Sequence, residues 1–433
     1  MARAATALAV EVARRLPYVY GARVVLLVGT GNNGADALWA GTFLARRGAR
    51  VVAVLAGTPV SDAFAAFLAA GGRTGDDTAV IGADVVLDGL VGIGGRGAPR
   101  RPVPALDVPL VVAVDVPTGV DADTGEVHPG AVRADLTITF GTYKPGLLLA
   151  REHVGELLLV DLGLPLPRAD VTSLEAGDVA GLLPAAGRVS DKFSRGVLGV
   201  AAGSATYPGA AVLAVGAGIR AGAGMLRYAG SAADLVRFHW PEAIVTDELA
   251  EAGRVQAWVL GPGLGEDLVT VEQVLATDVP VLVDADALTL TAQHQELLRG
   301  RTAATLLTPH DREFERFGSP TGADRLGSAR RLAADLGVHV LLKGDATVVV
   351  APDGQARING TGSAVLATAG SGDVLAGGIG ALLAQGLNPL DAGSVGAWLH
   401  GVAGTLSAAG ATTSASLLLE AWPAAVRAAR AGD

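Results

Sequence analysis

The chain of 433 residues contains no cysteine. Disulfides, thiolate zinc sites and cysteine nucleophiles are therefore excluded, and nothing hints at an oxidising compartment. Charge is sparse as well: 18% of residues are Asp, Glu, Lys or Arg, and 33 basic against 43 acidic residues leave a net charge of −10. No Lys/Arg block is long enough to track a phosphodiester backbone, which speaks against a nucleic-acid partner. The five tryptophans are scattered and form no stacking platform for a single strand. His128, His153, His239, His294, His339 and His400 lack close metal-ligand spacing and read as structural or solvated.

Long hydrophobic runs are missing too. The opening "MARAATALAVEVARRLP" has Arg and Glu inside its apolar pattern and no small-residue cleavage site, so it reads as an amphipathic helix, not a signal peptide. Gly196 to Ile219 is free of charge, but Tyr207, Pro208 and Gly209 interrupt it, which suits strand, loop and helix better than a membrane span. A cytoplasmic location is expected.

What is present is a half-hydrophobic chain long enough for two cores. From Arg23 to about Leu164, runs such as "RVVLLVG", "RVVAVLAG", "DVVLDGL", "PLVVAVDVP", "LTITFG" and "GELLLVDLG" alternate with helix-like segments. Strands buried on both faces have this composition, so a mostly parallel sheet covered by helices is expected. Between residues 165 and 190 the pattern lapses into Pro, Gly and polar residues, which places a domain boundary near 168, between domains 1–167 and 168–433. A second α/β series follows, with "GVLGVAAGS", "AWVLGPGLG", "VPVLVDADAL", "AATLLTPH" and "VHVLLKGDATVVVAPDG", and the chain closes on helical segments.

In the first half, "GTGNNGADA" holds Gly29, Gly31 and Gly34 after an apolar run. A helix starting near Asp36 would aim free amide donors at an anion or carbonyl, though a bare glycine-rich turn serves equally as structure. Three later strand ends add Asp88, then Asp115 with Thr118, then Lys144. In an open parallel sheet, ligands sit at the carboxyl ends of strands, where all of these fall. Individually, Asp88 could cap a helix and Asp115 could bind loop amides.

Together "GNNGADA", "DGLVGIG", "VDVPTGVDADTG" and "KPG" resemble the NAD(P)HX epimerases, which repair hydrated nicotinamide dinucleotides and have a Rossmann-like fold, over residues 10 to 165. The resemblance implies a substrate pocket of Asn32, Asn33, Gly34, Ala35 and Asp36, of Gly92, Ile93, Gly94, Gly95, Arg96, Gly97 and Ala98, and of Asp115. It implies K⁺ held by Asn33, Asp88 and Thr118, oxygen ligands suiting such a hard cation. Asp115 and Lys144 would be the catalytic groups that move protons during epimerisation at carbon six of the ring. The family usually reads N-N-G-G-D-G; here Ala35 and Ala37 replace two glycines, and a methyl at Ala35 is expected to crowd the ligand. Thr118 stands where Ser is more usual, and family members commonly carry a further amino-terminal segment.

In the second half, "ATAGSGDVLAGG" combines a turn of Gly370, Ser371 and Gly372, whose amides can form an anion hole at a helix start, with Asp373 beside it. A carboxylate there weakens phosphate binding unless it serves as a base that deprotonates a hydroxyl in line with a phosphoryl group; otherwise it is an ordinary first-turn acid. Lys343, followed by Gly344 and Thr347, could meet phosphate oxygens or be an exposed hairpin lysine. His310 with Glu313 lies at another strand end, as either pocket residues or a helix cap; Gly261, Gly263 and Gly265, and Asp284 with Asp286, mark two more.

In order, "GSATYPGAAVLAVGAGIRAGAG", "LGPGLG", "DADAL", "LTPH", "LLKGDAT" and "ATAGSGDVLAG" resemble the ADP/ATP-dependent NAD(P)H-hydrate dehydratases of the ribokinase-like superfamily, over roughly residues 175 to 430. By that resemblance Lys343, Gly344, Asp345, Ala346, Thr347, Gly370, Ser371 and Gly372 bind ADP or ATP, with Mg²⁺ shielding its phosphates. Gly263, His310 and Asp373 contact the hydrated dinucleotide, and Asp373 activates its ring hydroxyl. The usual P-G-E after the histidine is Asp311, Arg312, Glu313 here. The chain is thus expected to be a bifunctional, homo-oligomeric repair enzyme. It would interconvert R and S NAD(P)HX and dehydrate the S form to NAD(P)H, releasing AMP or ADP with phosphate. A ribokinase-like small-molecule kinase, or a dehydratase whose first domain only binds ligand, are the alternatives.

Overall fold

A computed structural model describes residues 2–99, 101–185, 187 and 191–432. The chain divides into two compact units, Met1–Arg168 and Ala169–Asp433.

Unit 1 is built on seven strands: β1 (Arg23–Val28), β2 (Arg50–Leu55), β3 (Arg73–Gly75), β4 (Val85–Gly89), β5 (Val111–Val114), β6 (Leu136–Phe140) and β7 (Glu156–Val160). They lie in the order β3-β2-β1-β4-β5-β6-β7, every pairing parallel. The chain order reverses between β1 and β4, so the crevice at their carboxyl ends is the topological switch point of a Rossmann-like sheet. Alternate residues of β1 feed opposite cores: Val24, Leu26 and Val28 on one face, Val25 and Leu27 on the other. Helices α1 (Ala2–Arg15), α2 (Asn32–Arg46), α3 (Ser61–Ala69), α4 (Pro145–Leu149) and α5 (Arg151–Val154) complete the unit. The amphipathic reading of α1 holds, since Ala4, Ala5, Leu8, Ala9 and Val12 are buried along one stripe.

Unit 2 carries a ten-stranded sheet of β8 (Val171–Thr172), β9 (Val197–Ala201), β10 (Met225–Ala229), β11 (Ile244–Thr246), β12 (Ala257–Leu260), β13 (Val281–Val283), β14 (Thr305–Leu307), β15 (His339–Leu342), β16 (Val348–Val350) and β17 (Ala356–Ile358). The order is β11-β10-β9-β12-β13-β14-β15-β16-β17-β8. Pairings are parallel from β11 to β15, and antiparallel from β15 to β16 and from β16 to β17. Its helices are α6 (Ala176–Leu182), α7 (Pro208–Arg220), α8 (Ala233–His239), α9 (Leu268–Leu275), α10 (Asp286–Gln293), α11 (Asp311–Phe314), α12 (Arg325–Leu336), α13 (Ser371–Ala384), α14 (Pro389–Ala408) and α15 (Ala415–Ala431).

The charge-free stretch after Gly196 folds as strand β9, a loop, and α7 with Pro208 in its first turn. No helix among the described residues is long and apolar enough to cross a membrane. Helix α13 is buried from Val374 to Ala384. It runs so close to α7 that a Cβ on Gly377 would overlap the carbonyl oxygen of Ala214, so this glycine is required by packing.

Candidate active sites

The crevice of unit 1 opens with α2. Sequence placed the helix start near Asp36; it begins instead at Asn32, with Gly31 extended at the N-cap and the Ala35 amide already bonded to the Gly31 carbonyl. The correction follows from packing: a Cβ on Gly34 would overlap the Gly29 carbonyl oxygen, so glycine lets the first helical turn lie directly against the strand end. It also turns Ala35 and Ala37 inward. Both are wholly buried in the core beneath the helix, so the Ala35 methyl does not face a ligand.

Asn33 is buried, and its Nδ2 donates to the carbonyls of Val91 (2.8 Å) and Val114 (2.7 Å). That ties the start of α2 to the end of β5 and to the loop just after β4, across the switch point. Asp88 ends β4 with no exposed surface. Its carboxylate accepts the Thr118 amide and hydroxyl, each at 2.7 Å, and the Leu90 amide at 3.3 Å. Burial raises its pKa, and no Lys, Arg or His among the described residues pairs with it. A buried carboxylate held only by neutral donors fits a monovalent cation, and Asn33 and Thr118 are oxygen-bearing neighbours of the right kind.

Asp115, just beyond β5, has a left-handed backbone, φ +67°, uncommon outside glycine. Its Oδ1 accepts Lys144 Nζ at 2.6 Å, Thr139 Oγ1 at 3.1 Å and the Phe140 amide at 3.3 Å. Lys144 also donates to Thr139 Oγ1 (2.8 Å) and the Phe140 carbonyl (3.0 Å). Asp36 lies in the field of Asp115: burial, and then that neighbouring charge, push its carboxyl up to about 6, and its buried Oδ1 has no hydrogen-bond partner among the described residues. The loop from Gly92 to Ala98 is largely exposed. Arg96 spans it, bonding the Ile93 and Gly95 carbonyls and pairing with Asp123 at 2.6 Å and Asp121 at 3.6 Å. Asn32 is exposed at the crevice mouth.

In unit 2 the site again lies at carboxyl ends of strands. Lys343, after β15, places Nζ 2.8 Å from Asp284 Oδ1 and 3.7 Å from Glu313 Oε2. Burial opposes its charge, yet Asp284 and Glu313 hold its pKa above the ordinary ammonium value. It is not an exposed hairpin lysine. Asp284 also accepts the Thr308 hydroxyl at 2.9 Å, and Asp286 accepts the Gly265 amide at 2.8 Å. Ala285 between them is left-handed, φ +51°, which lets the two acids point to different partners.

His310 and Glu313 form a reciprocal cap of α11: His310 Nδ1 accepts the Glu313 amide at 3.3 Å and Glu313 Oε2 accepts the His310 amide at 2.9 Å. The cap does not exhaust either residue, since Glu313 faces Lys343 and half of the imidazole is exposed. The altered turn is anchored by Asp311, which pairs with Arg325; Arg325 Nη2 in turn donates to the Lys343 carbonyl at 2.8 Å. Sequence gave no signal for Arg325. Gly344 and Asp345 are exposed, Ala346 is buried, and Thr347 Oγ1 lies 3.4 Å from the Gly344 carbonyl.

Gly370, left-handed, is the N-cap of α13, so Ser371, Gly372 and Asp373 form its first turn; the Ser371 amide donates to the Thr368 carbonyl at 3.3 Å, which leaves those of Gly372 and Asp373 without a backbone acceptor among the described residues. Lys343 Nζ passes Gly372 within 3.7 Å of where a Cβ would stand. Asp373 is partly buried; burial first, and then the charges of Asp284 and Asp286, push its carboxyl up to about 7 against the opposing pull of Lys343. Behind the turn, wholly buried His400 places Nε2 2.9 Å from the Ser371 carbonyl. Burial holds its pKa down at about 4, so a neutral imidazole donates to that carbonyl and pins the helix start. Gly263, left-handed, sits against Tyr207 and Ala210 in the loop after β12.

Two family profiles divide the chain: "YjeF-related protein N-terminus" over residues 1–146, and "NAD(P)H-hydrate dehydratase" over residues 198–423. The bifunctional NAD(P)H-hydrate repair enzyme Nnr of Mycobacterium tuberculosis is 50% identical over 380 residues, covering 84% of this chain and 79% of that protein. The chain belongs to the bifunctional NAD(P)H-hydrate repair enzyme family.

The repair enzyme of Corynebacterium glutamicum is 36% identical over 78% of this chain and 74% of its own. Among solved structures, the ADP/ATP-dependent NAD(P)H-hydrate dehydratase of Bacillus subtilis, co-crystallised with ATP and Mg²⁺, matches 60% of this chain and all of its own at 30% identity, TM-score 0.54. A ribokinase-like superfamily protein of Enterococcus faecalis matches 61% of this chain and 99% of its own at 25% identity, TM-score 0.56. The second unit of this repair enzyme therefore has the ribokinase-like fold.

Proposed function

We propose that the chain repairs hydrated NADH and NADPH in the cytoplasm, epimerising R and S NAD(P)HX on residues 1–167 and dehydrating the S form on residues 168–433 at the expense of ADP or ATP. The observation that carries the reading is Asp373, whose carboxyl is pushed up to about 7 in the first turn of α13, beside Lys343 and the amide of Gly372.

A base whose pKa lies near 7 is matched to taking a proton from a hydroxyl at physiological pH. Asp373 removes the proton of the ring hydroxyl as its oxygen attacks the terminal phosphoryl of the nucleotide. The amides at the helix start and Lys343 stabilise the charge gathering on the transferred group. AMP (or ADP) leaves. Phosphate then departs from carbon six and a proton from carbon five, restoring the ring double bond. His310, Gly263 and the loop from Lys343 to Thr347 hold the two ligands. Mg²⁺, when bound with the nucleotide, shields phosphate charge.

In unit 1, inversion at carbon six needs a bond to that carbon to break and re-form on the opposite face: the hydroxyl proton is removed as the bond from carbon six to the ring nitrogen breaks, a proton is supplied to the leaving nitrogen fragment, and both steps reverse once the resulting aldehyde has turned over. Asp115, oriented by the Lys144 ammonium 2.6 Å away, takes the first; Lys144 or Asp36, whose carboxyl is pushed up to about 6, returns the second. K⁺ on Asp88, Asn33 and Thr118 would neutralise the buried carboxylate and fix the loop carrying Asp115. The inward-facing Ala35 removes the crowding that would make this a mere binding domain.

Single turnover with S-NADHX and ADP labelled in its terminal phosphate tests the reaction class. Label in free phosphate, with one AMP and one NADH formed per hydrate consumed, is expected. A stable labelled dinucleotide would instead establish a small-molecule kinase.

A further inference from the structure

A cavity of about 800 Å³ in unit 2 lies away from the catalytic centre. Its wall takes Gly222 just beyond the end of α7, Gln385 just beyond the end of α13, and Arg195 just ahead of β9. The helix start that carries Asp373 is the other end of α13, about 20 Å away at 1.5 Å per residue. The cavity thus opens at the amino-terminal edge of the sheet, while catalysis is at the carboxyl edge.

Four arginines line it, Arg195, Arg220, Arg427 and Arg430, and no Asp or Glu among the described residues does. In a chain of net charge −10 such a concentration of one sign costs mutual repulsion unless an anion offsets it. Their existing bonds leave donors over. Arg195 Nη2 reaches the Gly222 carbonyl at 3.2 Å, and Arg220 Nη2 pairs with Glu420 at 2.7 Å while its guanidinium stands 5.9 Å from the Trp240 ring centre. Arg220 Nε is buried without an acceptor among the described residues, as is the indole Nε1 of wholly buried Trp422 in the same wall. Arg427 and Arg430, one turn apart on α15, are exposed. Buried donors without acceptors are uncommon and mark a missing partner.

We propose that this cavity binds a phosphorylated small molecule, its phosphate groups taken by the arginines and its apolar part laid against Leu382, Pro423 and Val426. The volume is that of an ordinary small-molecule site, and guanidinium forks match phosphate oxygens in pairs. It is a second ligand site, separate from the nucleotide site on α13.

The full chain is titrated with inorganic tripolyphosphate by calorimetry, and hydrogen exchange locates the bound probe. Saturable binding is expected, with protection of peptides spanning Trp422 to Arg430. In Arg427→Ser/Arg430→Ser it weakens roughly tenfold or more, the loss of charge-assisted bonds to two guanidiniums, while ADP-dependent turnover of S-NADHX is unchanged. The single variant Arg430→Ser, a change at one exposed side chain, weakens binding to a smaller extent. No saturable binding, equal affinity in the double variant, or protection confined to residues 368 to 376 would overturn the proposal.

Discussion

Lys343 Nζ lies 2.8 Å from Oδ1 of Asp284, a carboxylate with 2% of its surface exposed. The lysine is therefore a structural counter-ion, and in the proposed reaction also a phosphate ligand, so that both jobs fail together when it is removed. Lys343→Met leaves Asp284 buried and uncompensated, and is expected to cost about 3–5 kcal/mol in urea unfolding. Asp284→Asn combined with Lys343→Met recovers much of that stability but no dehydratase activity, because the phosphoryl group still lacks its cation.

In the proposed reaction Asp373 is the group that sets the pH dependence of dehydration. Its carboxyl titrates at about 7 in the native chain against 3.8 in the unfolded one, so kcat/KM for S-NADHX is expected to fall tenfold per pH unit below about 7 as the base is protonated. The native state holds a proton that the unfolded chain has released between those values, so this group's stabilising effect is complete below 3.8 and is lost as pH rises towards 7. Asp373→Asn removes that loss. The variant is expected to be inactive, to melt a few degrees above wild type at pH 8, and to melt with it at pH 4, as read by circular dichroism.

Asp88 has three neutral hydrogen-bond donors and no cationic side chain among the described residues beside it. A cation that binds only the native carboxylate stabilises by mass action. Replacing choline chloride by KCl at equal ionic strength is expected to raise the first calorimetric unfolding transition, more at pH 7 than at pH 4, where protons compete. In Asp88→Asn the K⁺ effect disappears.

Ala409 ends α14 in a left-handed conformation, φ +46°, on the exposed surface. Glycine takes that geometry without a Cβ conflict, so Ala409→Gly is expected to stabilise unit 2 by about 1 kcal/mol in urea unfolding, with turnover unchanged.

The candidate sites were legible because their residues sit where apolar runs stop. Asp88 lies at the carboxyl end of β4, Asp115 and Lys343 each follow a strand, and Lys144 and Asp373 sit at helix starts; a parallel sheet gathers such ends along one edge. The helix start at α2 was misplaced because the Gly34 contact with Gly29 that fixes it is tertiary, which also hid the inward turn of Ala35. Arg325 and His400 act on carbonyls of Lys343 and Ser371 from 18 and 29 residues along the chain, and no local pattern announces such contacts. Strand β8 spans only Val171–Thr172 and exists by pairing Val171 with Ala356, a partner that hydrophobic periodicity cannot name.

The central claim is that two sites on one chain repair both epimers. Recovery of reduced-nicotinamide absorbance from purified S and R hydrates, with ADP, Mg²⁺ and K⁺, tests it most directly, using wild type, Asp373→Asn and Asp115→Asn. Wild type should recover both epimers. Asp373→Asn should recover neither, and Asp115→Asn should recover S at the wild-type rate but R only at the rate of spontaneous epimerisation. Recovery of R by Asp115→Asn at the wild-type rate, or of S by Asp373→Asn, would contradict the account.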